Sequence, residues 1–242
     1  MSQAHGGTAQ RLVPSPVFLL STMRSGSTLL RCVLGSHSAV HAPHELHLGQ
    51  VHVSTGASAD LALQVAGLDP QELRFLTWDR WLHRELSRSG KSVLVEKTPS
   101  NVRIWKDIAT CWPEARYIFL IRHPAHIAAS LQAAGYDNPT SVVTASATLL
   151  EQARAELPGP TVRYEDLTAH PEDVTEELCK HLGLQWEPRM LDYGRQNHGP
   201  FIPVIGDWSE RIHSGRIQPS RPLPDEADID EDLRTLCAVW GY

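Results

Sequence analysis

Cysteine is scarce and scattered in this chain of 242 residues: Cys32, Cys111, Cys179 and Cys237 have neither the paired spacing of a zinc site nor the density of a secreted disulfide framework. They read as reduced thiols. Long hydrophobic runs are missing too. The one apolar run near the N-terminus, residues 17–20, is too short for a signal-sequence core or a membrane span, and no positive segment precedes it. A cytoplasmic location is the expectation. Basic residues are not in excess: 22 Lys and Arg stand against 28 Asp and Glu, a formal net charge of −6 that offers no general attraction to nucleic acid or an anionic membrane. Any anion site must be a local basic pocket. No internal repeat or low-complexity tract is present.

What is there is enough for one core. A 41% hydrophobic composition with seven Trp and 21% charged residues argues against a disordered or fibrous chain. Residues 1–16, polar, Gly-containing and closed by two prolines, read as a flexible leader, and residues 17–242 as a single domain. Short apolar segments at 17–20, 92–95, 117–121 and 161–163 read as strands buried on both faces. Helical spacing covers 70–86, 101–111, 124–134, 142–156, 171–182 and 231–240. The alternation predicts an α/β three-layer sandwich with a central parallel sheet. Residues 197–224, rich in Gly and Pro, read as one long loop.

The strongest chemical signal is Ser21-Thr22-Met23-Arg24-Ser25-Gly26-Ser27-Thr28-Leu29, between the first strand and the first helix. A turn in that position aims backbone N–H groups and the positive end of the helix dipole at one point, which suits phosphate or sulfate. Gly26 permits close approach, Ser25, Ser27 and Thr28 add hydroxyls, and Arg24 adds a fixed positive charge. The first glycine and the lysine of a Walker A loop are both absent, which disfavours an ATP-dependent small-molecule kinase. A second anion site is suggested by Arg122 at a strand end, followed by His123-Pro124 and a helix carrying Ser130; arginine offers a bidentate fork and serine a hydroxyl for one phosphate.

These segments resemble the two cofactor motifs of the PAPS-dependent sulfotransferase family, in the R-S-G-[ST]-T-L form of its bacterial and tyrosylprotein-type members. The resemblance implies a P-loop-like nucleotide-binding core, binding of 3′-phosphoadenosine-5′-phosphosulfate and release of 3′,5′-adenosine bisphosphate. It assigns residues 24–29, Leu29 included, to the 5′-phosphosulfate, and Arg122 with Ser130 to the 3′-phosphate. Arg163-Tyr164-Glu165-Asp166-Leu167 is similar to a family segment bordering the adenine, although Tyr164 can equally be a core aromatic. Gly206-Asp207-Trp208 is similar to a family loop near the cofactor but lacks the Arg-Lys-Gly that precedes it elsewhere; Ser214-Gly215-Arg216 could supply the missing cation and amides.

Transfer to a hydroxyl requires a base and a cation on the moving group. In the family resemblance Glu45, within His41-Ala42-Pro43-His44-Glu45-Leu46-His47, is the preferred base, with His47 and His213 as rivals; Lys97, in Glu96-Lys97-Thr98-Pro99, stabilises charge on the sulfuryl group. The histidines near Glu45 lack the H-E-x-x-H pattern, so no metal is expected. The acceptor implied is a hydroxyl of a small-molecule or carrier-tethered metabolite, with a protein tyrosine or a carbohydrate as the alternative. A non-catalytic nucleotide-binding module is the alternative from another class. Neither nucleic acid nor membrane is an expected partner, and oligomeric state is not written in the motifs.

Overall fold

The computed structural model describes residues 10–199, 201 and 210–242. Five strands form one parallel sheet: β1 (Val17–Ser21), β2 (Val40–His41), β3 (Val93–Glu96), β4 (Arg116–Ile121) and β5 (Thr161–Arg163), in spatial order β2-β3-β1-β4-β5. Val17 pairs with Val95 on one side and Arg116 on the other, so β1 is the central strand. Only the two-residue β2 was not expected from sequence, because Val40-His41 has too little apolar run to register as a strand.

Alternation along each strand divides the core in two, as a sheet covered on both faces requires. Phe18, Leu20, Leu94, Tyr117, Phe119 and Ile121 point to one face. That face is covered by α3 (Pro70–Ser89), α4 (Trp105–Cys111), α5 (Pro124–Ala133), α6 (Pro139–Glu156) and α10 (Glu231–Trp240). Val17, Leu19, Val93, Val95, Ile118 and Leu120 point to the other, beneath α1 (Ser27–Gly35), α7 (Tyr164–Ala169) and α8 (Pro171–Leu182). The expected three-layer sandwich is therefore present, and no helix among the described residues is long and apolar enough to cross a membrane.

Local chemistry accounts for the helix ends. The α3 helix starts with Asp69 accepting the Glu72 N–H at 2.7 Å and Pro70 in its first turn, and it ends at Gly90 with φ 66°. The structure departs from the expected elements in three places. The predicted helix 101–111 is a 3-10 turn, Pro99–Arg103, followed by α4, because Ile104 leaves helical geometry between them. The segment 51–69 holds an additional helix, α2 (Ala57–Val65), with no buried residue, so core periodicity carried no sign of it. Within the expected loop 197–224, a short helix α9 (Glu210–His213) forms.

Part of the expected leader is bound to the domain. Arg11 donates to both Glu72 oxygens, at 2.8 and 3.0 Å, and to the Cys111 carbonyl at 2.8 Å, while Val13 is buried. The anchor is Asp79 on α3, 2% exposed, whose carboxylate accepts the Leu12 N–H at 2.6 Å, the Val13 N–H at 3.1 Å and the Trp112 indole N–H at 3.2 Å. Polarity of residues 10–16 suggested freedom; their hydrogen bonds to a buried carboxylate remove it. Asp79→Ala orphans those three donors and is expected to destabilise the fold by about 2–3 kcal/mol in urea unfolding.

Candidate active site

All five strands run the same way, so the residues that follow them gather on one rim of the sheet. Thr22 follows β1, Ala42 follows β2, Lys97 follows β3, Arg122 follows β4 and Tyr164 follows β5. The helices after the adjacent strands β1 and β4 cover opposite faces, which opens a crevice between the starts of α1 and α5, the usual ligand position in open parallel sheets.

The β1–α1 turn is shaped by two residues with positive φ, Arg24 at 62° and Gly26 at 90°. Gly26 is required twice over: a Cβ there would stand 2.3 Å from the Tyr164 ring. No side chain caps the start of α1. Arg24 Nε donates to Ser130 Oγ of α5 at 2.9 Å, and Arg122 Nη1 donates to the Arg24 carbonyl at 3.0 Å. The two anion motifs thus meet directly. The Arg122 guanidinium also lies over the Tyr164 ring, 4.6 Å from its centroid. Tyr164 is 8% exposed, so it is both a core aromatic and the wall between the two turns.

Two expected contributions differ. Ser25 is buried and donates its hydroxyl to the Thr22 carbonyl at 2.7 Å, which closes the turn and leaves that O–H directed inward. Leu29 packs its side chain into the core beneath α1. Ser27 and Thr28 are buried at the helix start.

Beside this crevice stands a buried charged row. Lys97, 0% exposed, contacts the Glu45 carboxylate and donates to Thr28 Oγ1 at 3.2 Å. Burial pushes the Lys97 ammonium pKa down and Glu45 opposes that shift. On the far side of Glu45, His47 Nε2 lies 3.5 Å from the second carboxylate oxygen. His47 itself has φ 49°, a left-handed conformation that few non-glycine residues adopt. His213 is exposed and stands edge-on to Phe201 at 5.2 Å, with no hydrogen bond or ion pair to Glu45 or Lys97 among the described residues.

Ser214-Gly215-Arg216 is tied to the turn at Tyr193 and Gly194. Gly215 accepts the Gly194 N–H at 3.0 Å and the Arg216 carbonyl accepts the Tyr193 hydroxyl at 3.3 Å, while the Arg216 side chain is exposed. Burial lowers the Arg122 pKa, Tyr164 and Glu165 oppose that shift, and the like charges of Arg211 and Arg221 add to it. Sequence reading missed both, since arginines in a loop of uncertain path carry no signal of their own. It also gave no role to Glu96 and Asn101, which lie behind Lys97. The segment Gly206-Asp207-Trp208 falls outside the described residues.

Several polar atoms of the crevice suit an anionic ligand. Ser21 Oγ, Thr22 Oγ1 and Arg122 Nε are buried without a hydrogen-bond partner among the described residues, a costly state in a folded protein unless something else satisfies them. With the uncapped helix start, they fit a ligand carrying more than one phosphate or sulfate group. No cluster of metal-ligating side chains occurs among the described residues.

Fold and site together define an α/β protein whose carboxyl sheet edge gathers the cationic side chains Arg24 and Arg122 beside a Lys97–Glu45 pair. The sulfotransferase family profile matches residues 16–188, well over half of the chain, and the chain belongs to that family. It is 34% identical over 133 residues to nodulation protein NoeE of Sinorhizobium fredii (strain NBRC 101917 / NGR234), covering 50% of this chain and 32% of that protein. It is 24% identical over 264 residues to protein-tyrosine sulfotransferase 1 of Danio rerio, covering 93% of this chain and 72% of the relative. Of two of the curated relatives it matches, the chain spans only 26% and 32% of the length. Among solved structures, the sulfotransferase domain of the Synechococcus PCC 7002 olefin synthase shares the fold at a TM-score of 0.69 and 24% identity, with 98% of each chain covered.

Burial lowers the pKa of His123 and His126, and of His198, which is pushed down to about 4 where it bonds the Tyr193 carbonyl at 2.9 Å and Ser36 Oγ at 3.3 Å. Such groups bind protons more readily when unfolded, so their stabilisation is complete above the unfolded value of about 6.5 and is lost as pH falls through that range towards the folded value. Unfolding free energy measured from pH 7 down to 4 is expected to decline, and His198→Gln to flatten that decline.

Proposed function

We propose that this protein transfers a sulfuryl group from 3′-phosphoadenosine-5′-phosphosulfate to a hydroxyl of a small-molecule or carrier-tethered metabolite. One observation carries the reading: the β1–α1 turn and the β4–α5 turn are joined through Arg24, Ser130 and Arg122, so two anion-binding groups face one crevice. The donor, when bound, supplies an activated sulfuryl group. The amides at the start of α1, with Ser27 and Thr28, would hold the 5′-phosphosulfate end, and Arg122 with Ser130 the 3′-phosphate. Tyr164 would border the adenine.

Arg24 and Lys97 supply positive charge where negative charge develops on the transferring and bridging oxygens. Glu45 takes the proton of the acceptor hydroxyl. Its contacts with Lys97 and His47 support this assignment over His213, which stands apart from the charged row. His47 then acts as a neighbour of the base. The acceptor class is proposed by analogy to the olefin synthase domain that shares the fold.

Arg24→Ala and Lys97→Ala are each expected to lower turnover by about two to three orders of magnitude, the usual loss when a preorganised charge donor is removed. Radiolabel transfer from the donor to a metabolite library identifies the acceptor and measures that loss; wild-type rates in both variants would remove these residues from the chemistry. In a thermal-shift assay, adenosine 3′,5′-bisphosphate is expected to raise Tm more than ATP with magnesium does. The reverse preference would favour phosphoryl chemistry.

A further inference from the structure

Glu96, the last residue of β3, is 0% exposed and sits directly before Lys97. An ionisable group inside a parallel sheet is costly unless every polar atom is satisfied, and burial pushes the Glu96 carboxyl pKa up against its hydrogen bonds. Those hydrogen bonds have a direction. Oε1 accepts the Leu46 N–H at 3.2 Å and the Thr98 hydroxyl at 2.6 Å, and Oε2 accepts from the Asn101 amide. Thr98 Oγ1, its proton committed to Glu96, accepts the His47 N–H at 3.2 Å.

Leu46 and His47 are the two residues after Glu45, and His47 holds the uncommon φ of 49°. A conformation of that kind persists only where the surroundings over-determine it. Here the amides of both residues are tied to the end of β3, one directly to Glu96 and one through Thr98. Successive side chains of an extended strand point to opposite sides, and Lys97 reaches Glu45 from the other side of the same strand end. Glu96 and Lys97 therefore hold the Glu45 turn from behind and in front.

We propose that Glu96 is a positioning residue, fixing the turn at Glu45 through the amides of Leu46 and His47 and so setting where the Glu45 carboxylate stands against Lys97. The inference rests on the reading of Glu45 as the base. Hydrogen exchange separates the two, because it needs no turnover.

The test compares Glu96→Ala and Glu96→Gln in the full chain. In Glu96→Ala, exchange at the Leu46 and His47 amides is expected to accelerate by about 100-fold, with the β1 and β4 amides unchanged. Turnover on the acceptor found by label transfer should fall by about 100-fold, as misplacement of a reacting group does. Donor KM and the Kd for adenosine 3′,5′-bisphosphate should stay within about threefold, a split that general destabilisation would not produce.

Glu96→Gln keeps an acceptor oxygen for Leu46 and Thr98. Its new N–H can meet Asn101 Oδ1, which is buried without a partner, once the Asn101 amide turns over. That variant should restore slow exchange and most of the turnover. If Glu96→Ala does not fold, Glu96→Asp, with its oxygens withdrawn by one methylene, carries the same expectation. Wild-type exchange at residues 46 and 47 in a folded Glu96→Ala, or turnover equal to wild type there, overturns the proposal, as does a Glu96→Gln that behaves like Glu96→Ala. A wild-type chain inactive with every acceptor, with Glu96→Ala still showing the expected exchange changes, would remove the transferase reading and leave the positioning role standing.

Discussion

Parallel pairing of β1 with both β3 and β4 is the constraint from which the site follows. A parallel sheet cannot be closed by hairpins, so each strand needs a helical crossover, and the strand ends collect on one rim. Residues separated by about a hundred positions, Arg24 and Ser130 or Arg24 and Arg122, become hydrogen-bonded neighbours by that means alone. Because α1 and α5 cover opposite faces, their starts diverge and leave the crevice that these side chains line.

The charged row beside the crevice is tolerated because each member answers another. Lys97 is fully buried, and removing a cation of that kind from water costs several kcal/mol unless a carboxylate stands close. Glu45 supplies it from a turn that is itself held by Glu96, Thr98 and Asn101. Two non-glycine residues adopt positive φ among the described residues, Arg24 and His47, and both are in this region. Backbone strain is thus confined to the two turns that present charge, and the layers beneath, built from alternating apolar residues of β1, β3 and β4, absorb its cost.

The elements that sequence reading located were those with local cause. Strands β1, β4 and β5 and helices α8 and α10 stand where apolar runs, proline starts and helical spacing put them. The Arg24 to Thr28 turn was legible because strand, glycine and helix lie within a few residues. Elements without a core signature were missed: α2 buries nothing and β2 has two residues. The attachment of residues 11–13 was not legible because their partner Asp79 is more than sixty positions away and polar, so no periodic pattern records it.

By itself the sequence determined the α/β class, the family resemblance and the chemical kinds of residue at the strand ends, since these depend on neighbours along the chain. Only the tertiary structure decided which of those residues touch: Lys97 with Glu45, Arg122 over Tyr164, and Glu96 behind the Glu45 turn. The reason is physical. Periodicity reports which side of a strand or helix is buried, whereas partners in a polar site are chosen by distance and desolvation across elements that meet only after the chain has folded.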